Sequence, residues 1–137
     1  MNPIVTVNNA GKFLIIHQNV RSLRKFFDSL VCHLETFECM PDFIFVSEIW
    51  IYSCEKNDFS LPGFNFYALC NDSFSSGGVA VFVKNSYNCV VSYFDRSSSD
   101  ILKIECTIHN VKFTFICVYR FHILSSEIFL KELTDIK

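Results

Sequence analysis

The chain reads as a mixed α/β (α+β) protein on three observations. An amphipathic helical stretch lies between two apolar, strand-like runs; the second half is a series of short strand patterns joined by turn residues; and 50% of the residues are hydrophobic. At 137 residues that content is enough to bury a core, so one domain, or part of one, follows. With 16 Phe, 5 Tyr and 1 Trp, and only 4 Gly and 3 Pro, the composition excludes a disordered chain.

The first run is FLIIHQN, from Phe13 to Asn19, whose apolar start and polar end suit a strand. After it, Leu23, Phe26, Phe27, Leu30, Val31 and Leu34 recur at spacings of 3, 4, 7, 8 and 11, one apolar face of a helix. Ser22 stands at the N-cap position, and a helix from about residue 22 to about 37 is predicted. Pro41 and Asp42 separate it from FIFVSE, Phe43 to Glu48, where an uninterrupted apolar run predicts a strand covered on both faces. A right-handed strand–helix–strand crossover makes the two strands parallel and puts their C-terminal ends on one edge. Asn19 and Glu48 converge there, and an amide and a carboxylate suit a hard cation of the kind that drives phosphodiester chemistry.

From residue 64 the pattern shortens to FNFYALC, GGVAVFVK and YNCVVSYF, with Asn85-Ser86 between the last two. Ile101 to Ile108 and Val111 to Tyr119 pair as a hairpin through His109-Asn110. Alternation puts Val111, Phe113, Phe115, Cys117 and Tyr119 on one face of the last strand and Lys112, Thr114, Ile116, Val118 and Arg120 on the other. Neither face is wholly polar, which predicts a sheet covered on both sides. Gly77-Gly78 reads as a bend at a strand entry, and Ser125 to Lys137 as a short closing helix with Ile128, Phe129, Leu130 and Leu133. SFSSGG and SSSD are short polar clusters that read as loops, and no repeat or domain boundary stands out.

Charge gives little: 12 Lys+Arg against 14 Asp+Glu leaves a net charge of -2 and no basic stripe for non-specific nucleic-acid binding. Arg21, Arg24 and Lys25 form a local basic cluster, read first as a solvated helix face and second as a phosphate contact. The 7 cysteines are irregularly spaced, without a zinc-ligand grouping, and an odd count predicts reduced thiols in an intracellular compartment, nucleus or cytoplasm. No apolar run reaches the roughly 18 residues of a membrane span, and MNPIVTVNNAGK lacks the features of a secretory signal, so no membrane association is expected. His17 and His33 have no acidic neighbour at a catalytic spacing and read as packing or surface residues, and Trp50 as structural.

Five strings occur in order: HQNVRSL (from His17), PDFIFVSEIW (from Pro41), LPGF (from Leu61), GGVAVFVK (from Gly77) and ICVYR (from Ile116). Together they resemble the N-terminal part of an endonuclease/exonuclease/phosphatase superfamily domain, of the apurinic-endonuclease-like kind carried by non-LTR (LINE-type) retrotransposons. The resemblance implies part of a four-layer αββα sandwich spanning residues 1–137 as a single, C-terminally truncated domain. It also implies Mg²⁺ (or Mn²⁺)-dependent hydrolysis of phosphodiesters in DNA. By that resemblance Glu48 binds the metal, Asn19 helps to hold the metal and phosphate, and Tyr119 orients the scissile phosphate; Arg21 and Arg120 are candidate phosphate contacts. Without it, Glu48 fits a solvated strand end, Asn19 a turn or cap, and Tyr119 a core aromatic.

The family's later motifs, a GDFN-like Asp and Asn, a further Asp and an SDH-like Asp-His pair, are not in this sequence. YRFH, ending at His122, stands where the pattern usually has YRPP; SEIW replaces SETW; and LCNDSFSSGG lacks the arginines common before GGVA. The expectation is therefore a nuclease fragment inactive alone. Alternatives are a non-catalytic remnant or interaction module, with self-association through uncovered sheet surface, and another phosphodiesterase or phosphatase branch of the superfamily.

Overall fold

A computed structural model describes the backbone of residues 2–8, 11–72, 77–96, 98–121 and 126–136, with side chains from residue 13 onward. The elements run β1 (Asn2–Asn8), β2 (Gly11–Asn19), α1 (Leu23–Leu34), β3 (Phe43–Ser47), a 3-10 helix (Ser53–Asp58), β4 (Phe64–Leu69), β5 (Val79–Lys84), β6 (Cys89–Asp95), β7 (Ser99–Ile108), β8 (Val111–Arg120) and α2 (Ser126–Thr134). His122, the Ser73–Ser76 part of the polar cluster, Ser97 of SSSD and Ser125 lie outside the described residues.

Two sheets form, one ordered β1-β2-β3-β5-β4 and one ordered β6-β7-β8. The mixed α+β class is therefore as expected. β2 and β3 pair in parallel with Asn19 opposite Ser47, while the other pairings are antiparallel. β1 is an addition to the expected strands. Its NPIVTVN sequence carries a proline, which an edge strand accommodates because one row of its backbone groups needs no ladder partner.

β3 explains the arrangement, because all five of its residues are buried. Ile44 and Val46 face α1 with Leu23, Leu30, Leu34 and Phe82, and Phe43 and Phe45 face the second sheet with Leu102, Ile104 and Cys117. Two helix-and-sheet faces on one strand require an uninterrupted apolar run. Between the sheets Phe43 meets Phe115 at 4.8 Å and Phe13 meets Phe113 at 5.0 Å, ring contacts that bury large apolar area. At the N-terminal end of β3, Asp42 accepts hydrogen bonds from Leu14 N–H (2.8 Å) and the Tyr87 hydroxyl (2.8 Å) and pairs with Lys84 (3.2 Å). That buried carboxylate, read in the sequence only as a separator, ties β2, β3 and β5 together.

Three expectations are corrected. Ser22 occupies the N-cap position of α1, but its side chain makes no capping bond; its backbone has φ +100° and the residue is buried. The second sheet is covered on its outer face at one end only, where Ser99 and Ile101 are fully buried. Its outer face carries Lys103, Glu105 and Lys112 in ion pairs of 2.8 and 3.4 Å and leaves Val90 and Ile116 66% and 49% exposed. α2 forms but no residue of it is fully buried: Phe129 and Leu133 share one face and are half-buried, with Phe129 against the Arg120 guanidinium, while Ile128 and Leu130 stay exposed.

Candidate functional site

β2 and β3 end side by side, and the chain leaves both ends through unusual backbone. Among the described residues six non-glycine positions have left-handed φ, and four of them, Arg21 (+46°), Ser22 (+100°), Glu48 (+54°) and Trp50 (+53°), lie just past these two ends. The remaining two, His109 and Asn110, are the β7–β8 turn. Left-handed backbone costs an L-residue about 1–3 kcal/mol and persists only where its surroundings enforce it.

The enforcement is visible in hydrogen bonds. Val20 N–H donates to Ser47 C=O (2.9 Å), Ser22 N–H to Glu48 C=O (2.9 Å), Leu23 N–H to Ile49 C=O (2.8 Å) and Trp50 N–H to Gly77 C=O (3.1 Å). The parallel ladder thus continues beyond the strands and carries Glu48 to the edge with its carboxylate half-buried. Ile49 and Ile51, on either side of Trp50, are buried in the core under α1 and anchor the segment.

Tyr119 reaches the same place from the other sheet. Its hydroxyl donates to Glu48 Oε1 at 3.2 Å, a contact between residues 71 apart in sequence. Burial, reinforced by the Glu48 charge, raises the phenol above its ordinary pKa of 10.0 and keeps it a proton donor at neutral pH. Asn19 is exposed at the end of β2, opposite Ser47 and thus one residue from Glu48 in the ladder. Ser47 Oγ lies 3.5 Å from His17 Nε2, so His17 turns toward β3 without a carboxylate partner there.

No protein-family model matches the chain, and no curated protein matches it. The site must be judged on its own chemistry.

That chemistry includes a residue the sequence did not reveal. Asp100, at the start of β7, is 1% exposed and sits opposite Tyr119 in the β7–β8 ladder. Its Oδ2 accepts the Gly78 N–H at 2.9 Å, and burial raises its carboxyl from 3.8 to about 6. Gly77 and Gly78 cross between Asp100 and Glu48 with φ of +91° and +87°. A Cβ at Gly77 would stand 3.2 Å from Asp100 Oδ2 and 3.6 Å from the Tyr119 ring; one at Gly78 would stand 2.7 Å from Ile49 Cγ1. Only glycine passes there. The signal in the sequence was parity: Leu102, Ile104, Cys106 and Ile108 all point inward, and counting back by two reaches Asp100.

Arg21 is exposed at the rim, directly before Ser22. Arg120 points elsewhere: it is on the face of β8 opposite Tyr119, bonding Ser126 Oγ at 3.0 Å and lying over the Phe129 ring. Arg24 is engaged with Glu55 and lies over Tyr52, fastening the 3-10 helix to α1.

The donors gathered at the edge are oxygens, the Glu48 carboxylate and, one strand over, the Asn19 amide. Among the described residues no group of three or more His, Cys, Asp or Glu is arranged to hold a metal ion. An oxygen-only set with one carboxylate fits a cation that keeps most of its water, as Mg²⁺ does, and does not fit Zn²⁺.

Proposed function

We propose that this chain is the N-terminal part of a Mg²⁺-dependent DNA endonuclease of the endonuclease/exonuclease/phosphatase superfamily, of the kind that nicks target DNA for LINE-type retrotransposition. The reading includes membership of the four-layer αββα architecture, which the stacking of α1 on the first sheet and the first sheet on the second supports for three of the layers. DNA would be its partner, in the nucleus or cytoplasm.

The observation that carries the reading is the hydrogen bond from Tyr119 to a Glu48 held on left-handed backbone. Strain enforced around a carboxylate is a mark of function rather than packing. Glu48 and Asn19 are the residues that would hold the metal, and Mg²⁺ when bound would neutralise charge on a phosphodiester. Tyr119 keeps its proton and can pass its hydrogen bond from Glu48 to a phosphate oxygen without changing strand position. Arg21 is an exposed cation two residues beyond Asn19, suited to the DNA backbone. These residues bind and orient. The groups that align water and stabilise the leaving oxygen belong to motifs absent from these 137 residues, and a partial constellation forfeits most of the rate.

Two measurements test this. Mn²⁺ titration followed by electron paramagnetic resonance should show weak binding that Glu48→Gln removes, and a chain that binds no divalent cation would sink the metal-site reading. Supercoiled DNA with Mg²⁺ should stay unnicked above the buffer control. Robust nicking abolished by Glu48→Ala would instead make the 137-residue chain an enzyme by itself.

A non-catalytic interaction module is the second reading, favoured by the exposed Val90 and Ile116 on the outer sheet face.

A further inference from the structure

In Asp100 an ionisable carboxyl 1% exposed is a costly acceptor for one backbone N–H that an amide or hydroxyl would satisfy at lower cost. Costly buried carboxyls concentrate at functional sites. The hydrogen bonds around it form a chain that ends at the site. Asp100 accepts Gly78 N–H (2.9 Å); the preceding residue, Gly77, gives its carbonyl to Trp50 N–H (3.1 Å); and Trp50 closes the left-handed segment that begins at Glu48. The crossing is tight: a Cβ on Gly77 would touch Asp100 and Tyr119, and a Cβ on Gly78 would touch Ile49.

We propose that Asp100 is a positioning residue for Glu48. Its carboxylate anchors the Gly77-Gly78 crossing, and the crossing holds the Glu48–Trp50 segment in the backbone that presents Glu48 to Tyr119. The inference rests on the reading of Glu48 as the metal carboxylate, but the anchoring itself is a property of the backbone and is measurable without metal.

Asp100→Ala, Asp100→Asn and Gly77→Ala are compared with the unmodified chain by amide hydrogen exchange and by Mn²⁺ affinity. In Asp100→Ala, exchange at the Gly78 and Trp50 amides should rise and Mn²⁺ affinity fall by about tenfold each, while Ile44 and Val46 of β3 keep their protection. Asp100→Asn retains an oxygen for the Gly78 N–H and should restore both quantities to near the original values. Gly77→Ala, which presses a Cβ against the carboxylate without leaving a cavity, should reproduce the exchange effect if Asp100→Ala does not fold.

Unchanged Trp50 exchange in both Asp100→Ala and Gly77→Ala would overturn the proposal. So would an Asp100→Asn variant as impaired as Asp100→Ala, since the charge and not the hydrogen bond would then be the active property. If the unmodified chain binds no Mn²⁺, the metal reading of Glu48 fails alone; local loosening at Trp50 in Asp100→Ala with rescue by Asn still sustains the anchor, and its absence removes it.

Discussion

Asp100 gives the fold a pH dependence of its own. Its folded-state carboxyl titrates at about 6 against an ordinary 3.8, because burial penalises the charge. A raised pKa means that the native state holds the proton more tightly than the unfolded chain. The corresponding stability is complete below the ordinary value and is lost as pH rises through about 6. Asp100→Asn has no such titration, so its stability relative to the unmodified chain should improve by on the order of 2 kcal/mol between about pH 4 and pH 7. Urea melts at a series of pH values measure this difference, and a flat one would mean that the carboxyl is not buried. Gly78→Ala is the second test at this scale. Its Cβ would meet Ile49 Cγ1 at 2.7 Å and Leu69 O at 3.1 Å at a φ of +87°. A loss of about 2–4 kcal/mol in the same melts is expected. The placement of Asn19 and Glu48 at neighbouring strand ends was legible in the sequence because each ends an apolar run, whereas Tyr119 was singled out only by the family resemblance. Asp100 was hidden because SSSD looks like a loop, and the left-handed backbone at Glu48 was hidden because neither Glu nor Trp signals it.

The β7–β8 hairpin was predicted with its turn, and the turn leaves room for improvement. His109 and Asn110 both take left-handed φ, +49° and +66°, the requirement of a two-residue turn whose twist matches the strands. His is a poor occupant of the first position. Replacing the pair by Asn-Gly should raise the thermal midpoint by about 2–4 °C, readable by circular dichroism; an unchanged or lower midpoint would show that this turn does not limit hairpin stability. β2, α1 and β3 were equally legible, since helical spacing and an uninterrupted run between them admit few topologies. β1 was not. Its proline and terminal asparagines resemble turn punctuation, and only its place at a sheet edge makes that composition tolerable. α2 was legible as a helix but not in its packing, because Ile128 and Leu130 stand two residues apart and leave 43% and 56% of their surface exposed.

Across the whole molecule the two sheets divide the apolar residues into one core beneath α1 and one between the sheets, and the 16 Phe made a densely packed interior predictable. The partial cover of the second sheet's outer face was not predictable, since period-two alternation identifies two faces without saying how much of each is covered. Val90 and Ile116 on that face, one on each of the edge strands β6 and β8, make association between copies the expected behaviour at high concentration. Val90→Lys with Ile116→Lys should shift the elution on size-exclusion chromatography toward monomer. A chain that is already monodisperse and monomeric would count against self-association through this face. No helix among the described residues is long and apolar enough to cross a membrane.

Trp50 is the one tryptophan of the chain, and it stands two residues beyond Glu48, half-buried, with its backbone N–H held by Gly77 and its indole nitrogen buried without a hydrogen-bond partner among the described residues. The tryptophan fluorescence of the chain therefore originates at the site. Cation binding, loosening of the Glu48 segment or entry of water there will each be reported by the emission maximum of the unlabelled chain, with no other indole to dilute the signal.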